Sequence, residues 1–201
     1  MRCFVLLYIL IAMNLTGLCY AERPIDVLEQ RIEEALKILR DPRFNDPSQK
    51  KAQEQKLWMV TRKIFDFEEF SRRVLASYWH QFSPRQQKDF TALLAEFLGK
   101  FYLRQVQAKY HGESIVYLDQ KLVGQSKALV DVKVLWNNLE VPVSIRMINR
   151  RGTWKVYDLS ALGISAVGNY RAQFDWLLKK RSPGQVLEIL KQKLQDLDNT
   201  D

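Results

Sequence analysis

The sequence predicts an α+β fold: a twisted antiparallel sheet flanked by several amphipathic helices. Three observations carry this reading. Apolar residues recur at spacings of three and four in the first half of the chain and again near its end. Between them the period changes to two, over runs joined by tight turns. The order is therefore helices, meander, helices, without the strand–helix alternation of a parallel sheet. With 201 residues, 47% apolar and 27% charged, the chain has the balance of one globular domain and not of a disordered or fibrous protein.

The first element is an export signal. Met1-Arg2 is a minimal basic start, Cys3 to Leu15 is almost unbroken apolar sequence, and Cys19-Tyr20-Ala21 offers small residues where a signal peptidase reads. Cleavage is expected after Ala21, leaving residues 22–201 as a single domain. The run is short for a membrane span, and bulky Leu18 before Cys19 argues against a lipoprotein anchor. Cys3 and Cys19 both fall in the removed segment, so the mature chain would have no disulfide, thiolate metal site or cysteine nucleophile. The expected location is a bacterial periplasm. The formal charge of +8, to which the signal contributes only Arg2, then points to an anionic membrane surface rather than to nucleic acid.

A first mature helix is predicted from about Pro24 to Arg40, with Ile25, Leu28, Ile32, Leu36 and Leu39 on one face. Asp41 to Asp46 reads as a loop. Three further helices open on one device: Asp46-Pro47-Ser48-Gln49, Ser83-Pro84-Arg85-Gln86 and Ser182-Pro183-Gly184-Gln185. Each offers a capping side chain, proline at the first helical position and glutamine three residues after the cap. The helix from Pro84 to about Lys109 carries Phe90, Leu94, Phe97 and Phe101 on one stripe.

Ser114 to Asp119 is predicted as a short strand. Lys127 to Trp136 alternates cleanly, Asn137-Asn138 turns the chain, and Leu139 to Met147 answers with its own alternation. A turn at Asn149-Arg150-Arg151-Gly152 leads into a strand from Thr153 to Leu159. Pro142 cannot donate to a ladder and marks an edge or a bulge. Helices return from about Val167 to Arg181 and from Pro183 to Leu197.

No catalytic constellation emerges. Gly163-Ile164-Ser165-Ala166-Val167-Gly168 has the strand-to-helix setting of a nucleophile elbow, but its last glycine comes one residue late. The histidines, His80 and His111, both precede the serine and form no metal-ligand cluster. A tight connection into the following helix explains the glycines. Asp66, Glu68 and Glu69 at a helix start favour the macrodipole and need no catalytic role. What remains is a surplus of apolar and aromatic residues. Periodicity does not distinguish a filled core from a lined pocket.

Three stretches resemble the MlaC (toluene-tolerance) family, periplasmic phospholipid-binding components of the Mla lipid-transport system. The first is Phe65-Asp66-Phe67 with Phe70-Ser71-Arg72-Arg73-Val74-Leu75 and Tyr78-Trp79. The second is Ser83-Pro84 followed by Gln86 or Gln87, Phe90, Phe97, Leu98 and Tyr102. The third is Trp154-Lys155-Val156-Tyr157-Asp158, then Gly163-Ile164-Ser165, then Asn169-Tyr170-Arg171 with Gln173-Phe174; Val141-Pro142-Val143 lies upstream. The likeness spans about Pro24 to Leu197. It departs at Ala76, where the family often has glycine.

The resemblance implies a non-enzymatic, monomeric carrier without cofactor, whose fold is partly like nuclear transport factor 2. Phospholipid tails would lie in an internal apolar pocket with the headgroup near the surface. Its implied partners are an outer-membrane lipoprotein–porin complex and an inner-membrane ABC transporter bearing a lipid-binding ring domain, a pairing that maintains outer-membrane asymmetry. Burial is worth about 0.8 kcal/mol per methylene, so roughly thirty methylenes gain on the order of 20 kcal/mol on leaving water. The bilayer offers about the same, so direction must come from the partners.

The lining expected on this reading is Val132, Val134, Val143, Ile145, Met147, Trp154 and Val156 from the sheet, with Phe97, Phe101, Tyr170 and Phe174 from helices. Arg146, Arg150, Arg151 and Lys155 would form a basic rim facing headgroups or membrane, or else a solvated turn. Arg171 and Asp158 are expected to pair. Two alternatives stay open: a carrier of another lipid, such as a hopanoid, and a ligand-free interaction module.

Overall fold

A computed structural model describes residues 22–136 and 139–199. The proposed signal, with Cys3 and Cys19, and the Asn137-Asn138 turn lie outside the described residues.

Helix α1 (Pro24–Leu39) opens with proline at its first position and an Arg23–Asp26 ion pair. Two short 3₁₀ turns, Pro42–Phe44 and Pro47–Gln49, lead into α2 (Lys50–Ile64). Here the expected capping box does not form. Asp46 accepts from the Ser48 amide only two residues on, which closes a tight turn and delays the α-helix to Lys50. Asp66 caps α3 (Phe67–Leu75) by accepting from the Glu69 amide. A 3₁₀ turn, Ala76–Gln81, follows.

Helix α4 (Pro84–Lys109) starts with the reciprocal Ser83–Gln86 capping box, and α6 (Pro183–Asp198) with the Ser182–Gln185 one. Between them lie the sheet and α5 (Ala166–Leu178).

The sheet is a five-strand antiparallel meander in the order β1 (Ser114–Val123), β2 (Lys127–Trp136), β3 (Leu139–Arg150), β4 (Thr153–Ala161) and β5 (Ile164–Ser165). Strand β1 runs four residues past its expected end. A bulge between Tyr117 and Asp119 breaks the alternation that would have announced the rest. Pro142 faces Lys133 on β2 but lies beyond the reach of β4, whose pairing begins at Val143; its missing donor is therefore harmless. The two-residue loops Arg151-Gly152 and Leu162-Gly163 both have positive φ at both positions, matching the twist of the hairpins they join.

Two separate apolar cores result. In the sheet core, Val27 and Leu28 of α1 pack on Ala128, Val130, Val132, Ile145, Met147, Trp154 and Val156. In the helical core, Phe70, Val74 and Leu75 of α3 meet Phe90 and Leu94 of α4, Tyr170 and Phe174 of α5, and Val186, Leu187 and Leu190 of α6. Each fully buried Leu, Val or Phe stabilises the fold by roughly 1.5–3 kcal/mol. The link between α2 and α3 stitches the two halves together: Phe65 bridges Val156 on β4, and the Asp66 amide donates to the Val156 carbonyl.

Candidate functional site

Register fixes which side chains share the apolar face. Ala128 faces Met147, Val130 faces Ile145, Val132 faces Val143, Val134 faces Val141 and Trp136 faces Leu139. On β4, Leu159 opposes Ile145 and Ala161 opposes Val143, and Ile164 of β5 opposes Ala161.

Helix α1 covers this face unevenly. Its start is tied down by the Ile25 amide to Gln120 and by Trp154 Nε1 to the Glu22 carbonyl; its end, at Arg40, bonds Tyr110, just before β1. The helix therefore crosses beside β1 and leaves the far ends of β2, β3 and β4 less covered. Burial follows that path. Ala128, Val130, Val132, Met147, Trp154 and Val156 are buried, Val134, Val141, Val143 and Leu159 are half-buried, and Trp136 and Leu139 are exposed. The apolar face thus runs on past its own cover. The end of α4 lies five residues before β1 begins at this same end of the sheet, and Phe101, Tyr102 and Val106 of α4 are also exposed.

The expected lining divides between the two cores. Val132, Val143, Ile145, Met147, Trp154 and Val156 belong to the sheet core; Phe97, Tyr170 and Phe174 belong to the helical core. Phe101 stacks on Phe97 and edges onto Tyr102, whose hydroxyl lies 3.3 Å from that of Tyr170. Burial first, then that hydrogen bond, push the Tyr170 phenol above its ordinary value.

Of the basic residues, Arg150 is held by Asp66 at 2.7 Å and by Glu69 at 2.9 Å, and Arg146 by Asp158 at 3.1 Å and by Ser160. Arg151 is exposed on its turn, and Lys155 is half-buried opposite Ile148. Arg150, Arg151 and Lys155 stand at the opposite end of β3 from Leu139.

Sequence reasoning gave Glu69 a place at a helix start but missed the arginines around it. Its fully buried carboxylate accepts from Arg72, Arg73 and Arg150, while Arg73 also lies over the Tyr157 ring. Burial pushes the Glu69 carboxyl up, but Arg72 and Arg73 outweigh it and hold the group below its ordinary value. The acidic run at 66–69 was visible, but its arginine partner on β3 is 81 residues away.

The expected Arg171–Asp158 pair does not form. Asp158 instead takes Arg146, the Ser165 hydroxyl and the Val167 amide, whereas Arg171 donates to the Arg73 carbonyl. Asp158 is buried under the start of α5, where orphan amides and a near arginine satisfy it before Arg171 can. Ser165 also accepts from the Gly168 amide, so it caps α5. Among the described residues, no group of His, Cys, Asp or Glu could hold a metal ion.

A separate cleft of about 1300 Å³ opens between α2 and α4. Its wall includes Trp58, Lys50, Lys51, Glu54, Glu96 and Asp198, and Lys100 pairs with Glu96 one turn back on α4 and with Asp198 at the end of α6. Charged side chains interrupt the apolar part of this wall, so it lacks the continuous apolar lining that acyl chains need.

Comparison with known proteins identifies the family and the fold. The model described as MlaC protein matches residues 29–192. The chain belongs to the MlaC family. A solved structure, the phospholipid-binding protein of Ralstonia solanacearum in complex with a phospholipid, shares the fold at a TM-score of 0.76 and 20% identity. The match covers 88% of this chain and 99% of that one. The MlaC fold thus accounts for the α+β architecture expected from the sequence. No helix among the described residues is long and apolar enough to cross a membrane.

Proposed function

We propose that this chain is a periplasmic phospholipid carrier, exported by a signal cleaved after Ala21, and not an enzyme. The carrying observation is a sheet face whose apolar side chains continue beyond the helix that covers them, in a chain of the MlaC family. Acyl chains would lie against Val134, Val141, Val143 and Leu159, completing the cover that α1 leaves unfinished; Val132, Ile145, Met147, Trp154 and Val156 form the floor behind them. Phe101, exposed on α4 beside Phe97, would close the helical side, whereas Tyr170 and Phe174 stay packed in the helical core behind it. Burying paired chains there offsets the cost of taking them from the bilayer.

The carrier would act as a monomer between an outer-membrane lipoprotein–porin complex and an inner-membrane ABC transporter with a ring domain. Of the basic rim, Arg151 and Lys155 would supply most of the membrane-facing charge, since Arg146 and Arg150 are already held by carboxylates. The test is mass spectrometry of an organic extract from protein purified without detergent. Phospholipid near one mole per mole is expected, and Val143→Trp should remove it while the protein stays folded. A folded, lipid-free wild type would overturn the carrier reading. A polycyclic lipid in the extract would replace the cargo.

A further inference from the structure

Helices α4 and α5 join the sheet at its uncovered end from opposite edges: α4 runs through residues 110–113 into β1, and α5 leaves from β5. Two phenols meet between them. The Tyr102 and Tyr170 hydroxyls lie 3.3 Å apart, and among the described residues neither has another hydrogen-bond partner. Their surroundings differ. Tyr170 is 8% exposed and packs edge-on against Phe70 in the helical core. Tyr102 is 46% exposed, beside Phe101 and one turn before the exposed Val106.

Two phenols carry two protons, and the bond between them uses one. If Tyr102 donated, the Tyr170 proton would be left in an apolar core without an acceptor, which is costly. Tyr170 therefore donates to Tyr102, and the Tyr102 O–H is left to donate away from the core. Charge identifies its acceptor. The neighbouring cations are engaged elsewhere: Lys100 with Glu96 and Asp198, Arg104 with the Leu197 carbonyl, Arg171 with the Arg73 carbonyl. A phosphate beside Tyr102 would lack a countercharge, whereas a neutral carbonyl needs only a donor. A phospholipid has such carbonyls in the carboxylic esters that join its chains to glycerol. Drawing the chains onto the apolar face takes those esters out of water.

We propose that the Tyr102 hydroxyl donates to an ester carbonyl of the bound phospholipid and so fixes how deep its chains sit. The proposal rests on the carrier reading. The test offers delipidated protein mixed vesicles of diacyl and dialkyl-ether phosphatidylglycerol with chains of one length, the ether lipid having no carbonyl. Mass spectrometry of the extracted complex gives the ratio taken up. The diacyl preference of the wild type should exceed that of Tyr102→Phe by about fivefold, the worth of one neutral hydrogen bond, with Tm unchanged. The ester carbonyl infrared band of the diacyl lipid in the wild type should also lie below its position in dry alkane. Equal ratios in the two proteins, or a wild-type band at the dry-alkane position, would overturn the hydrogen bond. Equal ratios with uptake of both lipids reduced would move the donor to the phosphate and overturn the ester assignment. Uptake of neither lipid by the folded wild type would overturn the carrier reading itself, and this proposal with it.

Discussion

Ala76 ends α3 with φ +48° and ψ −118°, a backbone region open to glycine and strained for alanine. Relief of that strain outweighs the added freedom of glycine in the unfolded chain. Ala76→Gly is therefore expected to stabilise the protein by about 1 kcal/mol, a rise of roughly 2–4 °C in Tm by calorimetry. Glu69 makes the opposite case. Gln in its place leaves three guanidiniums without their buried carboxylate, and denaturant unfolding should show a loss of about 3 kcal/mol at pH 7. Because the folded carboxyl titrates below its unfolded value, its contribution is complete above the ordinary carboxylate range. It disappears as pH falls from about 4.3 through the lower folded value. Unfolding free energy measured from pH 7 down to pH 3 should fall less steeply in Glu69→Gln than in the wild type.

Between elements, the seam of α2 and α4 depends on a missing side chain. A Cβ at Gly99 would lie 2.6 Å from the Trp58 ring, which is itself tilted against Phe67. Glycine inside an exposed helix ordinarily costs about 1 kcal/mol relative to alanine. Here the sign reverses: Gly99→Ala is expected to destabilise by about 1–2 kcal/mol, and the double variant with Trp58→Leu to regain most of it. Chemical denaturation of the single and double variants checks both. Capping shows how far an element can be read locally. The Ser-Pro-x-Gln starts of α4 and α6 were legible because every participant lies within four residues. Asp46 heads the same pattern with aspartate in place of serine, yet accepts from the amide two residues ahead and makes a turn.

For the whole molecule, two separate apolar cores, with buried carboxylates at Asp158 and Glu69 held by ionic and hydrogen-bond networks, leave a sheet face that the chain only partly covers. A ligand that completes this cover binds the folded state alone and stabilises it by mass action. Delipidated protein should regain about 2.7 kcal/mol at a phospholipid excess of roughly a hundredfold over Kd. That corresponds to about 5–10 °C in Tm. Scanning calorimetry with and without lipid measures it, and an unchanged Tm would count against a ligand on this face.

Residue order alone determined the helix–meander–helix layout, the apolar faces of β2, β3 and β4, and two capping boxes. These follow from period, turn chemistry and caps, which act over a few residues. Tertiary structure decided the rest. It divided the expected lining between two cores, gave Asp158 to Arg146 and α5 rather than to Arg171, and buried Glu69 among arginines from α3 and β3. It also set where α1 stops covering the sheet, because that depends on the anchors from Ile25 to Gln120 and from Trp154 to Glu22. Alternation tells which face of a strand is apolar. Only the path of the covering helix tells how much of that face is left for something else to bury.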